Sequence, residues 1–191
     1  NKTYANGIQA LKDISLEIDK GIFGLLGPNG AGKSSLMRTL ATLQDADSGS
    51  ISLNGTDILK NPPLARRQLG YLPQDFGIYP NVSATELLNQ LAVFKGFNHS
   101  RQRRDMVAHQ LHLVNLYEQR HQKLETFSGG MRQRFGIAQA LLGSPELVIV
   151  DEPTAGLDPT ERIRFQNLLA ELSQDRALLL STHIVEDVAE L

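Results

Sequence analysis

A glycine-rich segment, GPNGAGKS over residues 27–34, constrains the fold of this chain more than any other feature. The six residues before it, GIFGLL, form a short apolar run of the kind that makes a buried strand. After it, apolar residues recur at helical spacing from Leu36 to Leu43. A strand that passes through a glycine-rich loop into a helix begins a parallel α/β unit, and we predict an α/β fold with a mostly parallel sheet.

Other apolar patterns predict the remaining elements. Ile14, Leu16 and Ile18 alternate with polar residues, which is strand period. Ser-Gly at 48–49 and Asn-Gly at 54–55 bound a short antiparallel hairpin, and we expect a small antiparallel β subdomain there. Two further strands are predicted at 147–150 and 177–180, with a helix between them.

The middle of the chain is helical and polar. Ser83 and Glu86 have the spacing of a capping box at the start of this region, which extends to about Leu124. We therefore predict one domain over residues 1–191. Its α/β core covers about 1–74 and 145–191, and an inserted helical subdomain covers about 75–144.

Composition excludes several classes of protein. Nineteen Lys and Arg against 21 Asp and Glu give a formal charge of −2, which argues against broad nucleic-acid binding. The longest apolar run is four residues, whereas a membrane helix needs about 20, so we expect any membrane-spanning part to belong to another chain. There is no cysteine. The chain begins with Asn and stops within a helical pattern, so we expect both ends to be truncated.

Residues 27–34 match the pattern G-x-x-x-x-G-K-[ST], and each residue type has a physical reason. Glycines let backbone N–H groups approach phosphate oxygens, and the following helix directs its positive end at the anion. Lys33 can reach the β- and γ-phosphates, and the Ser34 hydroxyl can bind Mg²⁺. The predicted nucleotide-binding residues here are Gly27, Asn29, Gly30, Gly32, Lys33, Ser34 and Ser35.

The run Leu147–Val150 ends in Asp151 and Glu152. An apolar strand in the core delivers these acids to its carboxyl edge, where open α/β sheets bind ligands. Asp151 is placed to hold Mg²⁺, and Glu152 to act as general base toward a water molecule. The alternative is that both acids only mark the strand's exit into solvent.

The segment FSGGMRQ over residues 127–133 resembles the LSGGQ signature of the ABC ATPases, which other phosphate-loop proteins lack. Further motifs of that family follow in order: Gln74 in YLPQDFG, DEPTAGLDP from Asp151, and His183 in LLLSTHI. The resemblance extends from Tyr4 to His183. It implies the ABC ATPase fold, ATP and Mg²⁺ as ligands, and ATP hydrolysis.

The resemblance also implies roles for individual residues. Ser128, Gly129 and Gly130 would bind the γ-phosphate of ATP held by a second subunit, although Ser128 alone also fits a helix N-cap. His183 would contact the γ-phosphate, and Gln74 would lie near Mg²⁺ and the attacking water.

Two more residues resemble family positions. Tyr4 would stack on adenine. Asp158 fits a helix N-cap, with Pro159 and Glu161 at N1 and N3, and by resemblance it also lies at the dimer interface. Phe127 and Met131 depart from the Leu and Gln of the signature, while Ser-Gly-Gly is intact.

The resemblance implies a transporter motor: two ATPase subunits close on ATP and drive a separate membrane permease. The residues in and around the motifs are most similar to those of bacterial multidrug and antibiotic exporter cassettes. We therefore expect export and a peripheral location on the cytoplasmic face of the membrane. The alternative is a soluble ABC ATPase acting on nucleic acid or the ribosome. The basic cluster Arg101, Arg103 and Arg104 more closely resembles a solvated helix face, so we expect no nucleic-acid partner. A GTPase is disfavoured because N-K-x-D is absent.

Overall fold

The computed structural model describes residues 1–77, 79–154 and 157–182, and within them it has the predicted α/β fold. The strands are β1 Lys2–Thr3, β2 Gln9–Leu11, β3 Gly21–Leu26, β4 Ser52–Leu53, β5 Thr56–Asp57, β6 Leu69–Leu72, β7 Leu147–Asp151 and β8 Ala177–Thr182. The helices are α1 Lys33–Leu40, α2 Pro62–Gln68, α3 Ala84–Phe94, α4 Ser100–Leu113, α5 Gly129–Ala140 and α6 Pro159–Leu172. None of the helices in these ranges has both the length and the apolar character needed to cross a membrane.

The central sheet is parallel, with its strands in the order β3–β8–β7–β6. The inner strand β7 is buried along its whole length, and its side chains alternate between two hydrophobic clusters. Val148 and Val150 pack with the helices of the middle of the chain, whereas Leu147 and Ile149 pack with Met37 of α1. Both faces of the sheet are therefore covered, as a parallel sheet requires.

The helical region from α3 to α5 lies between β6 and β7 in the chain and shares its core with the sheet. Leu88 of α3 and Leu111 of α4 belong to the same cluster as Val148 and Val150. The predicted capping box is present, because Ser83 accepts from the backbone of Glu86, whose carboxylate accepts from the backbone of Ser83. The predicted subdomain boundaries at about 75 and 144 stay predictions.

The small hairpin is confirmed: β4 and β5 pair antiparallel across Asn54 and Gly55. Both turn residues have positive φ, 47° and 76°, which is the pattern of a type I′ turn. β1 and β2 form a second antiparallel pair.

Three predictions from hydrophobic pattern were wrong in part. Residues 14–18 form no strand in the described chain, since they have no neighbouring strand to satisfy their backbone; Leu16 is 51% exposed. β3 is a strand but not a buried one, because among the described strands it pairs only with β8, which leaves Phe23 39% exposed. α1 ends at Leu40, so Leu43 lies beyond the helix and is 62% exposed.

Candidate nucleotide site

The strand register brings the predicted site residues to one edge of the sheet. Leu26 pairs with Thr182 and Asp151 with Ser181, so β3, β7 and β8 end side by side. β6 ends one residue earlier in the same direction, at Leu72 opposite Val150. The loop of residues 27–32, the acids after β7 and the segment that carries Gln74 therefore all leave the sheet at its carboxyl edge, where such sheets bind ligands.

The phosphate loop curves tightly against β2. Gly32 caps α1 in the left-handed conformation, with φ of 91°, and a Cβ at this position would collide with the backbone carbonyl oxygen of Ala10. Only glycine satisfies both the backbone angle and the close approach. The loop thus leads directly into the N-terminus of α1, and the cradle fits an anionic phosphate group.

Lys33 folds over the loop that precedes it. Its ammonium donates to the carbonyl oxygen of Gly27 at 2.6 Å and to that of Pro28 at 3.1 Å. A phosphate oxygen carries a full negative charge and a carbonyl oxygen only a partial one, so a phosphate placed in the loop would compete well for this cation.

Asp151 and Glu152 are held by one serine of the neighbouring strand. Ser181 Oγ donates to Asp151 Oδ1 at 2.5 Å and accepts from the backbone N–H of Glu152 at 3.1 Å. Asp151 is only 5% exposed, so this hydrogen bond orients a nearly buried carboxylate.

Glu152 adopts a left-handed backbone with φ of 45°, a conformation that costs a residue with a side chain about 1 kcal/mol or more. The chain turns sharply there, and the Gln74 amide donates to Glu152 Oε2 at 3.2 Å. The structure therefore brings together two residues that lie 78 positions apart and were both predicted to act near the attacking water. Backbone strain of this kind clusters at functional sites.

The donor set fits Mg²⁺ bound together with a nucleotide. Ser34, Gln74 and Asp151 offer hydroxyl, amide and carboxylate oxygens, which are the hard donors that this ion prefers. Groups of three or more His, Cys, Asp or Glu side chains suited to a metal do not occur in the described part of the chain.

A tyrosine lies close enough to Asp151 to be affected by its charge. Burial raises the pKa of the Tyr71 hydroxyl, and the negative charge of Asp151 raises that pKa further, against an opposing effect of Arg38. Tyr71 therefore stays neutral at physiological pH and retains its hydroxyl proton.

The SGG segment begins α5 as predicted. Ser128 is the N-cap, and its hydroxyl accepts from the backbone N–H of Met131 at 3.3 Å. Gly130 lies against Glu161 of α6, where a Cβ would collide with the carboxylate. In the described residues, the hydrogen bonds and close approaches of this segment are to α5 and α6, not to residues 27–35. A role in phosphate binding from a second subunit stays a prediction.

The remaining predicted residues have mixed outcomes. Asp158 is the N-cap of α6 and accepts from Glu161 N–H at 2.9 Å, with Pro159 at N1. Glu161, however, directs its carboxylate to Arg134 at 2.6 Å rather than back to the cap. Tyr4 lies beside the phosphate-loop helix, its hydroxyl 2.8 Å from Ser35 Oγ. His183 lies outside the described residues.

Sequence reasoning missed Ser181 and Gln44, the second of which accepts from Tyr4. Ser181 lies at the end of a buried strand beside an acid-bearing strand, which is a weak signal. Gln44 has no signal in the sequence, since it lies outside every motif.

Comparison with known proteins places these features in a family. The family model described as ABC transporter matches residues 11–155. The linearmycin resistance ATP-binding protein LnrL of Bacillus subtilis (strain 168) is 38% identical over 180 residues, which cover 93% of this chain and 58% of that protein. The phosphonates import ATP-binding protein PhnC 1 of Rhodopseudomonas palustris (strain HaA2) is 39% identical over 201 residues, covering 99% of this chain and 71% of that protein.

Comparison with solved structures gives the same family. The dimeric structure of MJ0796, a bacterial ABC transporter cassette, superposes with a TM-score of 0.85 at 27% identity and covers 98% of this chain and 87% of that one. The chain spans about three fifths of the length of several curated relatives that it matches. On the family model and these relatives, the chain belongs to the ABC transporter family and forms an ABC ATPase cassette.

Proposed function

We propose that this chain binds and hydrolyses ATP as the motor subunit of an ABC transporter, and that it works as a dimer beside a separate membrane permease. The observation that carries this proposal is the meeting of the phosphate loop, Asp151, Glu152 and Gln74 at one edge of the sheet. Binding, metal coordination and water activation require these groups within reach of one another.

In this proposal each of these residues has its own role toward ATP. Lys33 exchanges the carbonyl oxygens of Gly27 and Pro28 for phosphate oxygens. Ser34, Asp151 and Gln74 would hold Mg²⁺, which would neutralise phosphate charge when bound. Glu152 accepts a proton from the attacking water, and Gln74 orients its carboxylate.

Dimerisation is part of the proposal because the phosphate loop and the SGG segment have no described contact within one chain. In a head-to-tail pair, Ser128, Gly129 and Gly130 of one subunit would bind the γ-phosphate held by the other, with Asp158 at the interface and His183 at the same phosphate. The dimeric structure of the similar cassette MJ0796 supports dimerisation. Closure on ATP and reopening after hydrolysis would move the permease.

We propose export as the direction and the cytoplasmic face of a bacterial membrane as the location. LnrL is named for linearmycin resistance, which export of that compound would provide, while PhnC 1 is an importer by name. The alternative of a nucleic-acid partner is weakened, because Arg103, one of the three arginines of the basic cluster, is already bonded to the side chain of Asn89 and to the carbonyl oxygen of Phe97.

Glu152→Gln tests the proposal. The variant should bind ATP with unchanged affinity but hydrolyse it at least about 10²-fold more slowly, because the amide cannot take a proton from water. ATP then persists, and size-exclusion chromatography of the full chain with MgATP should show a dimer that reverts to monomer without nucleotide.

Glu146→Gln is the matched control, since it makes the same chemical change on an exposed residue just before the other end of β7. It should hydrolyse ATP at the wild-type rate. Wild-type hydrolysis by Glu152→Gln would refute the role of Glu152, and a monomer under both conditions would refute the ATP-dependent dimer.

A further inference from the structure

Four polar side chains form a closed network at the first turns of the phosphate-loop helix, and we call it the Tyr4 clasp. The Tyr4 hydroxyl lies 2.8 Å from Ser35 Oγ and donates to Gln44 Oε1 at 2.9 Å. The Gln44 amide nitrogen donates to Thr39 Oγ1 at 3.1 Å and to the Ser35 carbonyl oxygen at 3.4 Å. Gln44 and Thr39 belong to none of the family motifs identified in the sequence.

The direction of each hydrogen bond in the clasp follows from counting protons. Thr39 has one hydroxyl proton and gives it to the carbonyl oxygen of Ser35 at 2.8 Å, so it can only accept from Gln44. That requirement turns the Gln44 amide so that its oxygen faces Tyr4. Tyr4 must then donate to Gln44, and its own oxygen accepts from the Ser35 hydroxyl.

Burial shows which end of the clasp is fixed. Thr39 is 2% exposed and Gln44 is partly buried, whereas Tyr4 is 37% exposed. The phenol is therefore held by its hydroxyl at the protein side while part of its ring stays open to solvent, next to the helix that receives the phosphates. A ring fixed in this way loses little further freedom when a flat ligand stacks on it.

Resting on the proposed function, we propose that Gln44 is a positioning residue for the nucleotide base: it fixes Tyr4 through the hydroxyl and so sets affinity for ATP through the base, not through the phosphates. The class of ligand that fits this arrangement has a planar aromatic ring attached to a phosphate chain. Among the predicted nucleotide-binding residues, Gln44 contacts the carbonyl oxygen of Ser35. It has no described contact with Lys33, Asp151 or Glu152, so the hydrolytic step does not depend on it.

The test compares ATP with inorganic tripolyphosphate, which has the phosphates but no base. In the full chain, Gln44→Leu should raise the KM and the Kd for ATP about three- to tenfold, the effect of one net hydrogen bond, and change kcat less than about twofold. The inhibition constant of tripolyphosphate against ATP hydrolysis should be unchanged. Gln90→Leu, the same change at an exposed position of α3, is the control and should alter none of these values.

Tyr4→Phe provides the second measurement and keeps the test decisive if Gln44→Leu folds poorly, since it removes a single hydroxyl of a partly exposed residue and keeps the ring. It should weaken ATP binding by a similar factor, and the double variant should be no weaker than either single one. Additive effects, unchanged or tighter ATP binding, or an equal loss of ATP and tripolyphosphate would overturn the role of Gln44. Failure of the wild type to bind ATP would instead refute the proposed function.

Discussion

Lys95 provides a test of the packing between the helical region and the sheet. It follows α3, and its ammonium donates to the carbonyl oxygen of Leu142 at 2.7 Å and to that of Leu69 at 3.2 Å. Both acceptors are neutral, and burial lowers the pKa of Lys95 from 10.5 to about 8. The folded protein therefore carries a lysine that loses its proton more readily than the same lysine in the unfolded chain.

The sign of the effect follows from proton counting. Below pH 8 the lysine is charged in both states, and its desolvation reduces the stability of the folded state. Between pH 8 and 10.5 the unfolded state binds more protons, so stability rises with pH. With pKa values of 10.5 unfolded and about 8 folded, the contribution of Lys95 between pH 7 and pH 9.5 becomes more favourable by about 2 kcal/mol.

The assay compares the wild type with Lys95→Met by urea unfolding at pH 7 and pH 9.5. The variant keeps an unbranched side chain one atom shorter than that of lysine and removes the titrating group, so all other titrating groups cancel in the difference. Stability of the wild type relative to Lys95→Met should rise by about 2 kcal/mol between the two pH values. A constant difference, or one that changes in the opposite sense, would refute the reasoning.

Two further variants test the geometry of the site. Gly32→Ala should lower the free energy of unfolding by at least about 1 kcal/mol more than Gly30→Ala. Both glycines have positive φ, but only at Gly32 would a Cβ meet the Ala10 carbonyl oxygen. Chemical denaturation measures the difference. Ser181→Ala should lower the free energy of unfolding by about 1–3 kcal/mol, because the buried carboxylate of Asp151 loses the hydroxyl that donates to it. Ser173→Ala, which removes a hydroxyl at the end of α6, is its control and should cost less in thermal unfolding.

Local rules predicted a good part of the fold and the site. The capping residues Ser83 and Asp158 were predicted from sequence, and an N-cap was the alternative interpretation of Ser128, because an N-cap depends only on the next three residues. The strand that delivers Asp151 was identified as well, because an unbroken apolar run bounded by acids has few alternatives.

The predictions that were wrong or missed concern residues whose contacts are distant in the chain. Alternation over residues 14–18 describes a half-buried strand equally well whether or not a neighbour exists, and here none does among the described residues. Ser181 and Gln44 matter only because the fold brings them to Asp151 and Tyr4, 30 and 40 positions away. No local pattern contains that information.

Glu161 shows how such distant contacts join two family motifs within one subunit. Its backbone N–H is capped by Asp158, while its carboxylate bridges Arg134 of α5 at 2.6 Å and Arg164 at 2.7 Å. The Arg134 and Glu161 side chains are only 16% and 18% exposed, so losing one partner leaves a poorly solvated charge. Because Gly130 also packs on this carboxylate, the start of α5 and the start of α6 share one set of contacts. The segment predicted to bind a partner's phosphate therefore cannot shift relative to α6 without breaking a partly buried ion pair.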